Sequence, residues 1–220
     1  MAQGVYKITE QFEKELCKYT GAPYAVAVDN GSNALFLALM WDDIRDREIT
    51  IPSRTYPSVP CAVIHAGGKV RFRKTNIGTF INTLKGAYLL EGSNVVDSAL
   101  CFTADMYDPG KFMCLSFTGH HKHLNLGKGG AILTDNEGAY KWFKRARFSG
   151  RRECPYSDDS FDMLGWNFYM PPETATRGLM MMKQFYNING TKKRNEDIEL
   201  PYPDLSQFKI YDSIRCRGDG

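Results

Sequence analysis

The chain has 220 residues, of which 43% are hydrophobic, and a formal net charge of +3. That supports one sizeable buried core or two small ones and argues against a nucleic-acid partner. The six cysteines show no CxxC and no regular spacing, the N-terminus lacks a signal-like apolar segment and no apolar run is of membrane-spanning length, so the expectation is a soluble protein of the reducing cytoplasm.

Taken in order, residues 8–19 repeat at helical spacing, with Phe12, Leu16 and Tyr19 on one face. A glycine and a proline, Gly21 and Pro23, stop that helix, and 24–28 reads as a short apolar strand. Residues 29–33 form a Gly-Ser loop before an apolar helix over 34–41. A strand, such a loop and a helix N-terminus make a common phosphate cradle, since free N–H groups and the helix dipole face an anion. The same residues also suit plain helix capping by Asn30 or Ser32.

Residues 48–51 read as a strand, 53–57 as a loop, 58–66 as a helix stopped by Gly67 and Gly68, and 69–73 as an alternating strand. The stretch 75–82 fits either a loop or a short helix. Residues 87–90 and 94–97 read as strands, the second ending on Asp97. An acid at the C-terminal end of an apolar strand lies where ligands bind in open α/β sheets, although turns and caps also take aspartate.

Two more apolar runs, 112–117 and 131–134, flank a polar stretch that holds Lys122 among His120, His121 and His123 and then the Gly127-Lys128-Gly129-Gly130 turn. A lysine presented at a strand end loses its proton when desolvated or crowded by cations, and its neutral amine then attacks an aldehyde. The three histidines are too closely spaced for a tetrahedral zinc site, and no cysteine pair supports one. Residues 136–148 predict an amphipathic helix with Trp142 and Phe143 inward and its basic residues outward. A methionine-rich helix follows over 174–185, started by Pro171 and Pro172. Beyond residue 187 the chain reads as a polar linker and an extended tail with little core. Strands alternating with helices place the chain in the α/β class with a mainly parallel sheet.

The order of these motifs resembles the DegT/DnrJ/EryC1/StrS group of sugar aminotransferases, pyridoxal 5'-phosphate (PLP) enzymes of fold-type I. The resemblance rests on Phe12-Glu13, the run Asn30 to Leu35, Thr55-Tyr56, Asp97-Ser98-Ala99, Ser116-Phe117, Lys122, the glycine turn 127–130 and Gly165-Trp166-Asn167. It implies a three-layer, PLP-binding large domain over 1–190, with 191–220 as a tail where the family's small domain would begin. By the same resemblance, Lys122 forms the Schiff base with PLP and moves the proton during catalysis. Asp97 pairs with the ring nitrogen. Tyr56 stacks on one ring face and Ala99 packs on the other. Gly31, Ser32, Asn33 and Ser116 surround the phosphate, and Asn167 reaches the phosphate of the second subunit of a homodimer.

The reaction so implied moves an amino group from an amino acid, typically glutamate, to a nucleotide-linked keto sugar. Counting from Ser116 places His121 at the lysine position, as in the family's PLP-dependent sugar dehydratases; counting back from Gly129-Gly130 places Lys122 there. Leu100 and Tyr169 stand where the family usually has Gln and Arg. A non-catalytic binding module on the same fold is the third reading.

Overall fold

The computed structural model describes residues 3–76, 86–120, 122–187 and 202–212. The elements run α1 (Gln3–Thr20), β1 (Tyr24–Val28), α2 (Gly31–Trp41), β2 (Glu48–Arg54), α3 (Ser58–His65), β3 (Lys69–Asn76), β4 (Tyr88–Leu89), β5 (Val95–Asp97), β6 (Phe112–Ser116), β7 (Gly130–Thr134), α4 (Glu137–Ala146) and α5 (Pro172–Asn187).

The main sheet has the order β1-β7-β6-β5-β4, and β2 and β3 form a second, parallel pair. An isolated bridge between Thr50 and Glu91 links that pair to the β4 side of the main sheet. The expectation of a mainly parallel sheet is corrected: β5–β6 is parallel, but β1–β7, β6–β7 and β4–β5 are antiparallel, so the sheet is mixed. The cause lies in the connection. Among the described residues no helix crosses between β6 and β7, and the chain folds back with Met113 opposite Leu133 and Ser116 opposite Gly130.

Alternation along the strands sorts the core into two clusters, one on each face of the sheet. Val26, Val28, Cys114 and Ile132 pack with residues of α2, α3 and α4, whereas Ala25, Ala27, Met113, Leu115 and Leu133 pack with residues of α1 and α5. Helices therefore cover both faces. Among the described residues, no helix is long and apolar enough to cross a membrane.

Gly178 sets the approach of α5 to α1. A Cβ there would sit 2.5 Å from Phe12 Cε2, and Phe12 is fully buried with its ring edge-on to Phe117, 5.8 Å between centroids. Alanine favours helix by about 1 kcal/mol over glycine, yet overpacking a closed core costs about 1–3 kcal/mol. Gly178→Ala is therefore expected to lower the urea midpoint, by a net loss of up to about 2 kcal/mol. A variant as stable as the parent would show that the Phe12 ring has room to move.

Three readings of the sequence change. The helix after β1 begins at Gly31 and not at residue 34, because the Asn30 side chain accepts from the Asn33 N–H and caps it. The basic residues of α4 do not all face outward. Lys141 pairs on the surface with Glu137, but Lys144 is largely buried and Arg147, which caps the helix, is wholly so. The tail is not simply extended: residues 205–207 and 209–211 form 3-10 turns, and Leu205 is only 2% exposed. The expected loop or helix over 75–82 and the linker after 187 lie mostly outside the described residues.

Candidate active site

The C-terminal ends of β5 and β6, the N-terminus of α2 and the loop between β6 and β7 enclose a cavity of about 250 Å³. Its lining includes Gly31, Ser32, Tyr56, Asp97, Ala99, Ser116 and Lys122, residues that lie far apart in the chain.

One end is built for an anion. α2 starts there with Gly31 and Ser32 in its first turn, and Ser116 and Thr118 add hydroxyls. The helix approaches β6 so closely that a Cβ on Gly31 would lie 2.7 Å from Ser116 Cβ, and one on Gly130 would lie 2.6 Å from the Asn30 carbonyl carbon. Glycine is required at both positions by this contact. Asn33 is not brought to the cavity. Its amide nitrogen donates to Asp29 Oδ1 at 2.7 Å and its backbone N–H to Asn30 at 2.8 Å, so capping uses both groups.

The lining also holds a buried carboxylate. Asp97 Oδ1 accepts from the Ala99 N–H at 2.9 Å, and Oδ2 accepts from Tyr88 Oη at 3.0 Å. Tyr88 Oη is in turn 2.7 Å from Thr55 Oγ1. Tyr88 stands directly opposite Asp97 in the β4–β5 register, a placement that depends on strand pairing and that sequence reading missed. Burial raises the pKa of Asp97, opposed by the Ala99 N–H, the Tyr88 hydroxyl and the charge of Lys122.

Lys122 sits in the β6–β7 loop. The loop is held by the Phe117 N–H to the Gly129 carbonyl and the Leu126 N–H to the Phe117 carbonyl, both at 2.9 Å, and by the buried side chains of Leu124 and Leu126. The ammonium of Lys122 donates to the Ala99 carbonyl oxygen. Burial lowers its pKa, and the charge of Asp97 opposes this. His123 turns away and pairs through Nδ1 with the Phe102 carbonyl at 3.1 Å. His121 lies outside the described residues. Asn167 is exposed beyond the cavity, paired with Phe148 by an isolated bridge. Among the described residues, no three His, Cys, Asp or Glu side chains gather as a metal site.

The model of the DegT/DnrJ/EryC1/StrS aminotransferase family matches residues 2–85 and 104–202. The chain belongs to this family. Among curated relatives of this DegT-family chain, UDP-4-amino-4,6-dideoxy-N-acetyl-beta-L-altrosamine transaminase of Campylobacter jejuni is 22% identical, over 96% of this chain and 65% of its own length. The 3-oxo-glucose-6-phosphate:glutamate aminotransferase of Bacillus subtilis is 25% identical, over 84% of this chain and 48% of its own. The chain thus spans about half to two thirds of these relatives. Among solved structures, the aminotransferase from Psychrobacter cryohalolentis matches with a TM-score of 0.63 at 18% identity, over 82% of this chain and 57% of that one. A GDP-4-keto-6-deoxymannose-3-dehydratase with a trapped PLP-glutamate geminal diamine matches at 0.61 and 19% identity, over 80% of this chain and 60% of that one. At such identities the likeness shows the fold. PLP is the cofactor of the family.

The residues present fit that cofactor. A carboxylate whose direct hydrogen-bond donors are a phenol and a backbone amide is relieved by a protonated ring nitrogen, and the hydroxyls and helix N-terminus in the same lining suit a phosphate. This arrangement predicts opposite effects of one substitution. Because folding raises the pKa of Asp97, the folded chain binds more protons than the unfolded chain between the two pKa values, and stability falls as pH rises through that window. Asp97→Asn removes this cost. Its amide nitrogen donates to Tyr88 Oη while Tyr88 donates to Thr55, and its oxygen still accepts from Ala99. The cofactor-free variant is expected to melt above wild type at neutral pH, with the gap closing in acid, while its affinity for PLP falls about ten- to a hundredfold. A variant that melts lower at neutral pH, or that binds PLP undiminished, would contradict this account of the carboxylate.

Proposed function

We propose that this chain forms the PLP-binding part of an aminotransferase that moves an amino group from an amino acid, with glutamate the leading donor, to a nucleotide-linked keto sugar. The carrying observation is that Asp97, at the end of β5, and Lys122, in the β6–β7 loop, line one cavity together with Ser32, Ser116 and the N-terminus of α2.

When bound, the cofactor supplies an aldehyde for exchange of amines and a ring that takes up electron density from the substrate carbon. In this reading Asp97 holds a proton on the ring nitrogen, and Tyr88 and the Ala99 N–H hold the carboxylate in place. Ser32, Ser116 and Thr118 bind the phosphate with the first-turn N–H groups of α2. Tyr56, 57% exposed at the mouth, covers the ring from outside, and Ala99 backs it. Lys122, with its proton loosened by burial, would hold the cofactor at its aldehyde and would carry a proton to and from the substrate carbon. Gly31 admits the helix to the phosphate. Asn167, exposed on its segment, serves the phosphate of a second copy in a homodimer. The setting is the cytoplasm.

Among the described residues of the 120–123 cluster, Lys122 lines this cavity, which supports the aminotransferase reading with Lys122 in the reacting position. The test is spectroscopic. The purified chain is titrated with PLP, then with glutamate, then with nucleotide-linked keto sugars. Uptake of colour followed by a glutamate-dependent shift supports the reading. A chain that takes up PLP and does not respond to any amino acid is a binding module, and one that takes up none overturns the proposal.

A further inference from the structure

Resting on the reading above, we infer that Tyr202 is a further wall of the cofactor cavity, and that residues 202–212 form a strap that keeps its ring there beside Tyr56. Tyr202 lines the cavity together with Asp97, Tyr88, Tyr56 and Gly86. Its ring meets that of Tyr56 edge-on, with centroids 6.1 Å apart, so two aromatic rings flank the mouth.

The strap is anchored at several points along its length. The carbonyl of Tyr202 accepts from Arg54 Nη1 at 2.9 Å, at the end of β2. Leu205 is 2% exposed, in the turn that packs on β2 and β3. Tyr211 sets its ring against Phe72 of β3, centroids 6.0 Å apart. Asp204 closes the first turn by accepting from the Ser206 N–H at 3.1 Å. These contacts hold the backbone to the second sheet, so the position of Tyr202 over the cavity does not depend on the phenol itself. Burial first, then the charge of Asp97, pushes the phenol up to about 12. Tyr202 therefore stays neutral under assay conditions and adds no charge to the site. A neutral ring at this place excludes water from the cofactor ring and slows its release.

The test measures the dissociation constant and release rate of PLP, by absorbance, for wild type, Tyr202→Ala, Tyr202→Phe and Arg54→Ala. Melting without cofactor serves as the folding control. Tyr202→Ala is expected to weaken binding about tenfold through faster release, the effect of one lost aromatic contact. Tyr202→Phe keeps the ring and stays within about twofold. Arg54→Ala, which loosens the strap without touching the cavity lining, shifts release in the same direction by a smaller factor, and it decides the matter if Tyr202→Ala does not fold. Wild type that binds PLP alongside a Tyr202→Ala chain of equal affinity overturns this inference and leaves the functional reading intact. Tighter binding by Tyr202→Ala also overturns it, since the phenol would then occupy the cofactor's place. Wild type that takes up no PLP removes both readings together.

Discussion

Lys122→Ala is expected to abolish the site-specific attachment of PLP. After incubation with cofactor and reduction with borohydride, peptide mapping of wild type should find a pyridoxyl group on Lys122, and the variant should carry none in that peptide. Any transaminase activity should fall by about 10²–10⁴-fold, the usual contribution of a positioned proton-transfer group. The reaction also has a pH signature. An ammonium cannot attack, and the neutral fraction grows as pH rises through the pKa of the lysine. Burial moves that pKa below the ordinary lysine value, against the pull of Asp97. Pulse labelling of Lys122 should therefore rise with pH earlier than labelling of exposed lysines such as Lys141, which pairs with Glu137. Equal labelling of both at every pH, or an alanine variant that retains the colour of wild type, would remove Lys122 from the reaction.

The largest effect on stability is expected at Arg147. Its guanidinium is fully buried, donates to Glu13 Oε1 and to the Ala27 carbonyl, and reaches Glu153 Oε1 at 2.8 Å. Lys144 closes the group, 3.1 Å from Glu13 and 3.0 Å from Glu153. The guanidinium also lies 4.8 Å from the centroid of the Tyr169 ring. One side chain thus ties α1, β1, the end of α4 and the segment that carries Asn167. Removing one member of a buried ionic group strands the others without water, at a cost of about 3–5 kcal/mol. Against a typical domain stability of about 5–15 kcal/mol, Arg147→Met should unfold at much lower urea. Adding Glu13→Leu, Glu153→Leu and Lys144→Met, so that no charge of the group is left unpaired, should recover much of the loss, because well-packed apolar groups replace a whole cluster at little cost. A single variant that loses under about 1 kcal/mol would show that water reaches the carboxylates.

These two residues mark the two sides of what a sequence conveys. The setting of Lys122 was legible: an apolar run, a polar loop and a glycine turn are local, and they present a loop between two strands, although they left open whether Lys122 or His121 takes the reacting position. Arg147 was not. It shares a basic run with Lys141, and a charge run reads as a solvated face until Glu13 and Glu153 are brought alongside it. The Gly-Ser loop after β1 and its capping by Asn30 were both readable from the order strand, glycine, helix, but the bond of the Asn33 amide to Asp29 depends on side-chain geometry.

By itself, the sequence determined the alternation of strands and helices, the apolar faces that make two core layers, and the order of motifs from Phe12 to Asn167 that placed the chain in its family. Periodicity and turn chemistry act over a few residues, so one chain carries them in full. Only the tertiary structure decided the antiparallel return of β7 to β6, the pairing of Tyr88 with Asp97, the burial of Arg147 and the seat of Tyr202 over the cavity. Each of these depends on which segments meet across the sheet. That is set by the joint packing of the whole core, and no local pattern records it.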